Sequence, residues 1–416
     1  MNVDPTQRPL HRNVRLLGWV SFWNDVASEM VYPLLPTFLL GLLGGSRFYL
    51  GLIEGAAESV ASLLKLWSGA ASDRSRGRKP FLVFGYVVAC ACRPLTAVLT
   101  APWHLLVIRL SDRAGKGIRA APRDALIVDS TEPDARGRAF GYQRSMDHLG
   151  AAVGPVLATV FLLVYPGELR WLFALTLLPG IVVVACVVFG LREPSRQSKA
   201  QPLQPREPAG RQKIGLHRIV IGVLSIRRFS TNFRVAMLAI FLFTLGNSTD
   251  AFLLVRAQEV GVSVAWLPML WCVFNLLKSG LSILVGSAID QYGPKRLLLA
   301  GWLVYMLAYL GFAYATELWH ILFLFGVYAL YYALAEPSER ALVATLCDEG
   351  QRGLAFGWFN SAIGIAALPA SLWFGYLYEQ FGPVAAFGFG SAMATFAALM
   401  LTLIRTPAEN IVRTES

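Results

Sequence analysis

The sequence predicts an all-α integral membrane protein of twelve transmembrane helices, built as two parallel six-helix repeats. Three observations carry that expectation. Of 416 residues, 55% are hydrophobic and 15% charged, against roughly 25% charged in soluble domains. Apolar stretches long enough to cross a bilayer core, about 20 residues each, recur along the chain with short breaks. The breaks carry Lys and Arg mainly on alternate sides. This composition excludes a disordered chain and a nucleic-acid-binding basic protein, and it argues against a soluble enzyme. The net charge of +11 reads as orientation in a membrane by basic loops.

The expected spans, in order, are 16–43, 49–71, 81–100, 104–127, 139–165 and 171–191, then 235–258, 264–289, 297–315, 318–344, 354–378 and 384–404. The N-terminus, MNVDPTQRPLHRNVR, is polar and lacks a cleavable signal pattern, so the first span is expected to stay as a membrane helix. The only long break, 192–231, is rich in Pro, Gln, Arg and Lys and carries nine basic residues. It reads as a linker joining bundles 1–191 and 232–416, with a short surface helix expected at 214–225. Basic residues crowd the termini, the linker and every second loop, including Arg74, Arg76, Arg78, Lys79, Arg136, Arg138, Lys295, Arg296 and Arg352, whereas the opposite loops hold little beyond Arg47 and Arg170. That asymmetry places both termini in the cytoplasm. The five cysteines lie in or beside apolar segments, with no metal-ligand or disulfide spacing, and read as buried free thiols.

The two halves repeat. RGRAFGYQRS at 136–145 matches RGLAFGWFNS at 352–361, and GAASDRSRGRK at 69–79 matches GSAIDQYGPKR at 286–296, both at an offset of about 216 residues. An even number of spans per half gives both halves the same orientation. Parallel repeats of this kind place a substrate cavity between them, near the bilayer midplane.

The loop after the second span reads G-x-x-x-D-R-x-x-G-R-K, with Gly69, Asp73, Arg74, Gly77, Arg78 and Lys79, and its degenerate copy retains Asp290. Gly69 permits close helix approach. Asp73 can accept from N–H groups at a helix end or pair with a base on a facing helix, so the cluster reads as a conformational gate. This loop, the six-plus-six layout and the basic central linker resemble the major facilitator superfamily. The resemblance covers nearly the whole chain. It implies alternating access, usually coupled to a proton or ion gradient, in a monomer of the cytoplasmic (inner) membrane of a bacterium, with no enzymatic activity. Here the signature has one extra residue, DRSRGRK. A second gate element, Gly150, Gly154 and Pro155 in the fifth span, resembles the fifth-helix motif of the superfamily's exporters and antiporters, without its further Gly.

The most unusual segment runs from Arg109 to Ser130. Arg109, Asp112, Arg113 and Lys116 are spaced i, i+3, i+4, i+7, on one helical face. Charges there would be expensive against lipid, so the face is expected on the cavity or another helix. Arg119, Arg123 and Asp124 fall nearer the cytoplasmic end, as gate or loop contacts. The GKG within the segment lacks a P-loop frame, so no use of ATP is expected. The segment resembles a branch of bacterial permeases linked with drug or metal resistance. Opposing acids lie in the first two spans: Asp25 and Glu29 one turn apart beside Asn24, and Glu54 and Glu58 one turn apart. With Arg93 and Lys65 they make a balanced set, part of which should simply pair.

A desolvated carboxylate is the expected carrier of a coupling proton. Asp25 and Glu29 come first, because the first helix of each half lines the cavity in the superfamily; Glu58 is next, then Asp147 and His148. Candidate cavity residues are Asn24, Glu54, Arg109, Asp112, Arg113, Lys116, Asn247, Asp250, Tyr331 and Glu336, with Tyr328, Tyr332 and Trp358 nearby. No resident metal site and no cofactor are expected. The partners expected are the lipid bilayer, protons and a small-molecule or ion substrate. The leading expectation is proton-coupled export of a small molecule such as a drug or metal species. The alternative is import of an organic anion or a siderophore-like metal chelate, with Arg109, Arg113 and Lys116 as anion contacts.

Overall fold

A computed structural model describes residues 10–75, 77–132, 135–193, 226, 229–347 and 352–404, without the side chains of 66, 70, 73, 74, 286, 287, 290, 352 and 353. The side chains of Asp73, Arg74 and Asp290, and the surface helix expected at 214–225, lie outside that description. The described chain is helical, with no strand among the described residues. The helices are α1 (Arg12–Val31), α2 (Arg47–Arg74), α3 (Lys79–Leu95), α4 (Pro102–Asp129), α5 (Arg136–Val164), α6 (Leu169–Leu175), α7 (Leu177–Ala185), α8 (Thr231–Gly246), α9 (Ala251–Glu259), α10 (Leu267–Tyr292), α11 (Pro294–Tyr314), α12 (Leu318–Thr345) and α13 (Arg352–Thr402).

Each expected span falls on one of these or on a chained pair. By length and composition, eight helices among the described residues can cross a membrane. The expected first, second and fourth spans fall on α1, α2 and α4, which are outside that set. The last two expected spans share α13, which Gly382 divides with φ 80. Pro383 follows at once, as Pro294 follows Gly293 (φ 82) between α10 and α11. Gly takes the left-handed position that ends one helix, and Pro fits the first turn of the next. Other starts are capped by hydroxyls: Ser46 accepts from Tyr49 N–H and Ser230 from Phe233 N–H, satisfying donors that a helix start leaves free.

Two departures from the expected spans have local causes. After α1 the chain continues through short 3-10, α and π turns to Leu42, where Pro33 and Pro36 remove backbone donors. The seventh span, expected to be continuous, is broken between Gly246 and Ala251. The intervening Asn-Ser-Thr-Asp side chains compete for backbone hydrogen bonds.

Large apolar side chains such as Phe84, Trp171, Leu178, Phe189 and Ile283 face outward, as a bilayer-embedded surface requires. Residues 10–193 are called the first half and 229–404 the second. One end of the bundle carries the chain ends and the break between the halves. There Asn13 Nδ2 donates to Ser130 Oγ (3.2 Å) and to the Arg192 carbonyl (2.8 Å), and Lys295 Nζ donates to the Ile404 carbonyl (2.6 Å). That is the linker end; the other is the far end.

Candidate functional site

The charged face of α4 packs into the first half. Arg109 forms a two-pronged pair with Glu54 of α2, Nε to Oε1 at 2.8 Å and Nη2 to Oε2 at 2.7 Å. Asp112 lies between Arg93 of α3 (3.3 Å) and Arg109 (3.7 Å). Arg93 also donates to the carbonyl and the Oδ1 of Asn24 in α1, at 2.9 and 3.1 Å. All five side chains are buried, and planar guanidinium–carboxylate pairing is the arrangement that best compensates burial. Arg119, expected near the end of the bundle, is buried instead. It donates to Asn24 Oδ1 (3.2 Å) and the Gly85 carbonyl (3.4 Å), with its guanidinium 4.5 Å from the centre of the Tyr86 ring. Arg123 pairs with its neighbour Asp124 at 3.0 Å. The glycines around Lys116 serve packing: a Cβ on Gly115 would lie 2.6 Å from the Gly85 carbonyl of α3, and one on Gly117 2.7 Å from the Ala61 carbonyl of α2.

Several expected site charges take no part in ion pairing. Among the described residues, Glu58, Arg113 and Lys116 have no ion pair within 4.0 Å and no hydrogen bond. Asp25 accepts from Asn24 Nδ2 at 2.8 Å. Asp147 accepts from Gln143 Nε2 at 2.7 Å, with Arg144 at 3.9 Å. His148 is exposed on α5. Glu29 is held from the other half: Trp271 of α10 donates its indole N–H to Glu29 Oε2 at 2.8 Å.

A cavity of about 260 Å³ opens between the halves. Tyr32, Glu54, Glu58 and Arg113 line it from the first half; Asn247, Asp250 and Tyr332 line it from the second. Asp250 accepts from Tyr328 Oη (2.7 Å) and Tyr332 Oη (3.0 Å). Asn247 donates to Tyr331 Oη at 3.2 Å. Glu336 lies outside this cavity and half-exposed, within 3.6 Å of Arg340 and 3.9 Å of Lys278.

The cavity is sealed at the far end. There α2 lies against α13: a Cβ on Gly51 would sit 2.1 Å from the Ser371 carbonyl, and one on Gly375 2.6 Å from the Arg47 carbonyl. Arg47 Nη2 meets Glu259 Oε1 at 2.7 Å, its backbone N–H donates to Glu379 Oε2 at 2.7 Å, and Tyr378 Oη donates to Glu259 Oε2 at 2.7 Å. Thr37 donates to Gln258 at 2.7 Å. Sequence reading set Arg47 aside as a stray loop charge, because its partners lie more than 200 residues away. Toward the linker end the halves part. Leu63, Lys65 and Trp67 of α2 are exposed, as are Arg144 and Arg340, and Cβ atoms on Gly141, Gly280 and Gly357 would meet nothing within 4 Å.

Comparison with known proteins agrees with this architecture. The profile of the Major Facilitator Superfamily matches residues 17–277 and 236–416. The chain belongs to the major facilitator superfamily. It is 33% identical over 408 residues to an uncharacterised MFS-type transporter of Methanocaldococcus jannaschii, covering 96% of this chain and 97% of that one. It is 23% identical over 356 residues to the multidrug resistance protein MdtH of Salmonella arizonae, covering 84% and 82%. The crystal structure of the nucleoside transporter NupG superposes with a TM-score of 0.73 at 13% identity, over 94% of this chain and 98% of that one, a likeness of fold. The protein is thus a membrane-embedded transporter and not an enzyme.

Two superfamily elements expected from sequence take definite form. In the signature loop, Glu193 lies across the start of α3: its carboxylate accepts from Arg78 N–H (2.6 Å) and Lys79 N–H (3.0 Å), and a Cβ on Gly77 would lie 3.1 Å from its Cδ. An anion at the positive end of a helix is a favourable placement. Lys79 Nζ caps the opposite kind of end, donating to the Val188 and Leu191 carbonyls at 2.8 Å. Arg78 reaches Asp129 at 3.3 Å, and a Cβ on Gly69 would meet Ala121 at 3.4 Å. In α5, Cβ atoms on Gly150 and Gly154 would lie 2.4 Å and 2.6 Å from the Phe22 and Val26 carbonyls of α1, so α1 and α5 touch through backbone there. Pro155 is buried one residue on.

Proposed function

We propose that this superfamily member is a proton-coupled exporter of a small molecule such as a drug or metal species, working by alternating access. The two bundles, 1–191 and 232–416, are the moving bodies, joined by the 192–231 linker in a monomer. With the termini in the cytoplasm, as the distribution of Lys and Arg implies, the linker end is cytoplasmic. The conformation described is then open inward and closed outward.

The observation that carries the coupling is the bond from Trp271 to Glu29. It joins the halves beside the cavity-lining Tyr32, and its acceptor is a carboxylate. A hydrogen bond to an ionised acceptor is about twice as strong as one between neutral groups, so protonating Glu29 weakens a strut of the outward-closed state. Proton binding from outside then favours the outward-open state and proton loss inward favours the outward-closed one, the differential stabilisation that a ligand-driven switch needs. Asp25 is the second candidate and Glu58 the third, followed by Asp147 and His148. The backbone contact of α1 with α5 at Gly150 and Gly154, together with the relatives named for multidrug resistance, supports export.

The test is internal pH in proteoliposomes carrying wild type, Asp25→Asn, Glu29→Gln or Glu58→Gln. Divalent metals, lipophilic cations and organic anions are added in turn. Export by antiport is expected to give substrate-driven proton flux that Glu29→Gln abolishes. Flux unchanged in all three variants would overturn the coupling assignment. Import of an organic anion or metal chelate is the second reading, favoured by Arg113, which lines the cavity without an ion partner; proton and anion moving together would establish it.

A further inference from the structure

The break in the seventh span is the part of the cavity whose chemistry is least balanced. Between Gly246 and Ala251 the backbone leaves the helix, and Asn247 is extended (ψ 96). Asn247 and Asp250 from this break line the cavity. Asp250 is the last residue of the break, and its side chain does not cap α9. Its carboxylate is held by the Tyr328 and Tyr332 hydroxyls, and among the described residues no Lys, Arg or His nitrogen lies within 4.0 Å. Asn247 Oδ1 is buried with no hydrogen-bond partner, while the amide nitrogen is fixed on Tyr331. The carbonyl end of α8, the negative end of its dipole, terminates at the same place. The aromatic wall accepts positive charge: Lys278 Nζ already lies 4.3 Å from the centre of the Tyr332 ring, a cation–π distance.

We propose that this break holds the protonated amine of the transported molecule, with ammonium N–H groups donating to Asp250 and Asn247 Oδ1 and the carbon skeleton against Tyr32 and Tyr332. The substrate class is therefore a primary or secondary amine small enough for a cavity of about 260 Å³. Neutral hydroxyls position the Asp250 carboxylate without neutralising it, and a buried acceptor without a donor is a loss that a donating ligand recovers. An organic anion has no place at this wall, because its charge would meet Asp250 and Asn247 Oδ1 directly. The inference rests on reading the cavity as the substrate site, and it is independent of which carboxylate carries the proton.

The experiment is equilibrium binding to the full chain in lipid nanodiscs, using three probes of one skeleton: phenethylamine, its N,N,N-trimethyl analogue and 3-phenylpropionate. Phenethylamine is expected to bind saturably and the carboxylate not at all. The trimethylated cation should bind more weakly, since it has no N–H to donate. Asp250→Asn should weaken phenethylamine by about tenfold or more, as loss of a hydrogen bond to a charged group implies. Asn247→Ala, which leaves Asp250 in place, should weaken it by a smaller factor and narrow the gap between amine and trimethylated probe. Unchanged affinity in both variants would overturn the proposal, as would equal binding of 3-phenylpropionate. A wild type that binds none of the probes would overturn it too, while leaving proton-coupled transport to stand on the liposome result.

Discussion

Replacing Glu54 by Gln should destabilise the first half sharply, and removing Arg109 as well should restore much of the loss. The geometry sets the size. Glu54 and Arg109 make two bonds of 2.8 and 2.7 Å in a site where both are under 10% exposed. Polar contacts between membrane helices average only about 0.6 kcal/mol in measured cycles, whereas breaking a buried ion pair by removing one partner costs about 3–5 kcal/mol. Gln keeps one acceptor, and Asp112 remains 3.7 Å from Arg109. The ionic term should still win, at about 2–4 kcal/mol. In Glu54→Met/Arg109→Met no charge is stranded at this pair, and Asp112 keeps Arg93 at 3.3 Å. The double variant should lie within about 1 kcal/mol of wild type. Denaturant unfolding of detergent-purified wild type and both variants, followed by intrinsic fluorescence, gives the two stability differences. A single variant as stable as wild type, or a double variant no better than Glu54→Gln, would refute the view that uncompensated charge governs this core.

The remaining predictions concern closure and packing. Arg47→Gln removes the ionic link to Glu259 from a partly exposed site, about 0.5–1 kcal/mol, so spin-label distances across the far end should show a roughly two- to fivefold rise in the outward-open population; unchanged distances would count against the seal. Trp271→Phe keeps the ring but loses the bond to Glu29, and should shift the same distances in the same direction. Gly150→Ala should lower thermal stability, because its methyl would lie 2.4 Å from the Phe22 carbonyl, whereas Gly137→Ala, with nothing within 4 Å, should not; equal effects would show that α1 and α5 are not in backbone contact. Glu193→Gln weakens the cap on α3 and should cost about 0.5–1 kcal/mol, read as a small drop in midpoint in the same unfolding assay.

Much of the architecture was legible because lipid makes strong demands on composition. Apolar runs placed the spans, and the charged stripe of α4 had to face inward. Glu54, Arg93, Arg109 and Asp112 belong to a larger charge-balanced set of which part was expected to pair, and these four do. What stayed hidden was partnership across the two halves. Nothing near Glu29 in sequence points to Trp271, 242 residues away, and nothing near Arg47 points to Glu259. The break at 247–250 did have a local signal. Gly-Asn-Ser-Thr-Asp is a run of turn-forming residues, masked by the apolar stretches on either side. Arg119 was misplaced because its position along α4 was legible but its side chain's reach, back to Asn24 and Tyr86, was not.

The charged face of α4 also has a consequence for how the chain is made. Four charged residues within two turns would oppose release of this helix from the translocation channel into lipid by roughly 10 kcal/mol on an insertion scale, more than its Leu, Ile and Val side chains return. The groups on other helices that pair with the stripe are Glu54, on Arg109, and Arg93, on Asp112, and both are synthesised earlier. The fourth helix can therefore leave the channel only onto a surface that the first three already present, and the order of the ribosome's work matches the order in which the charges find each other.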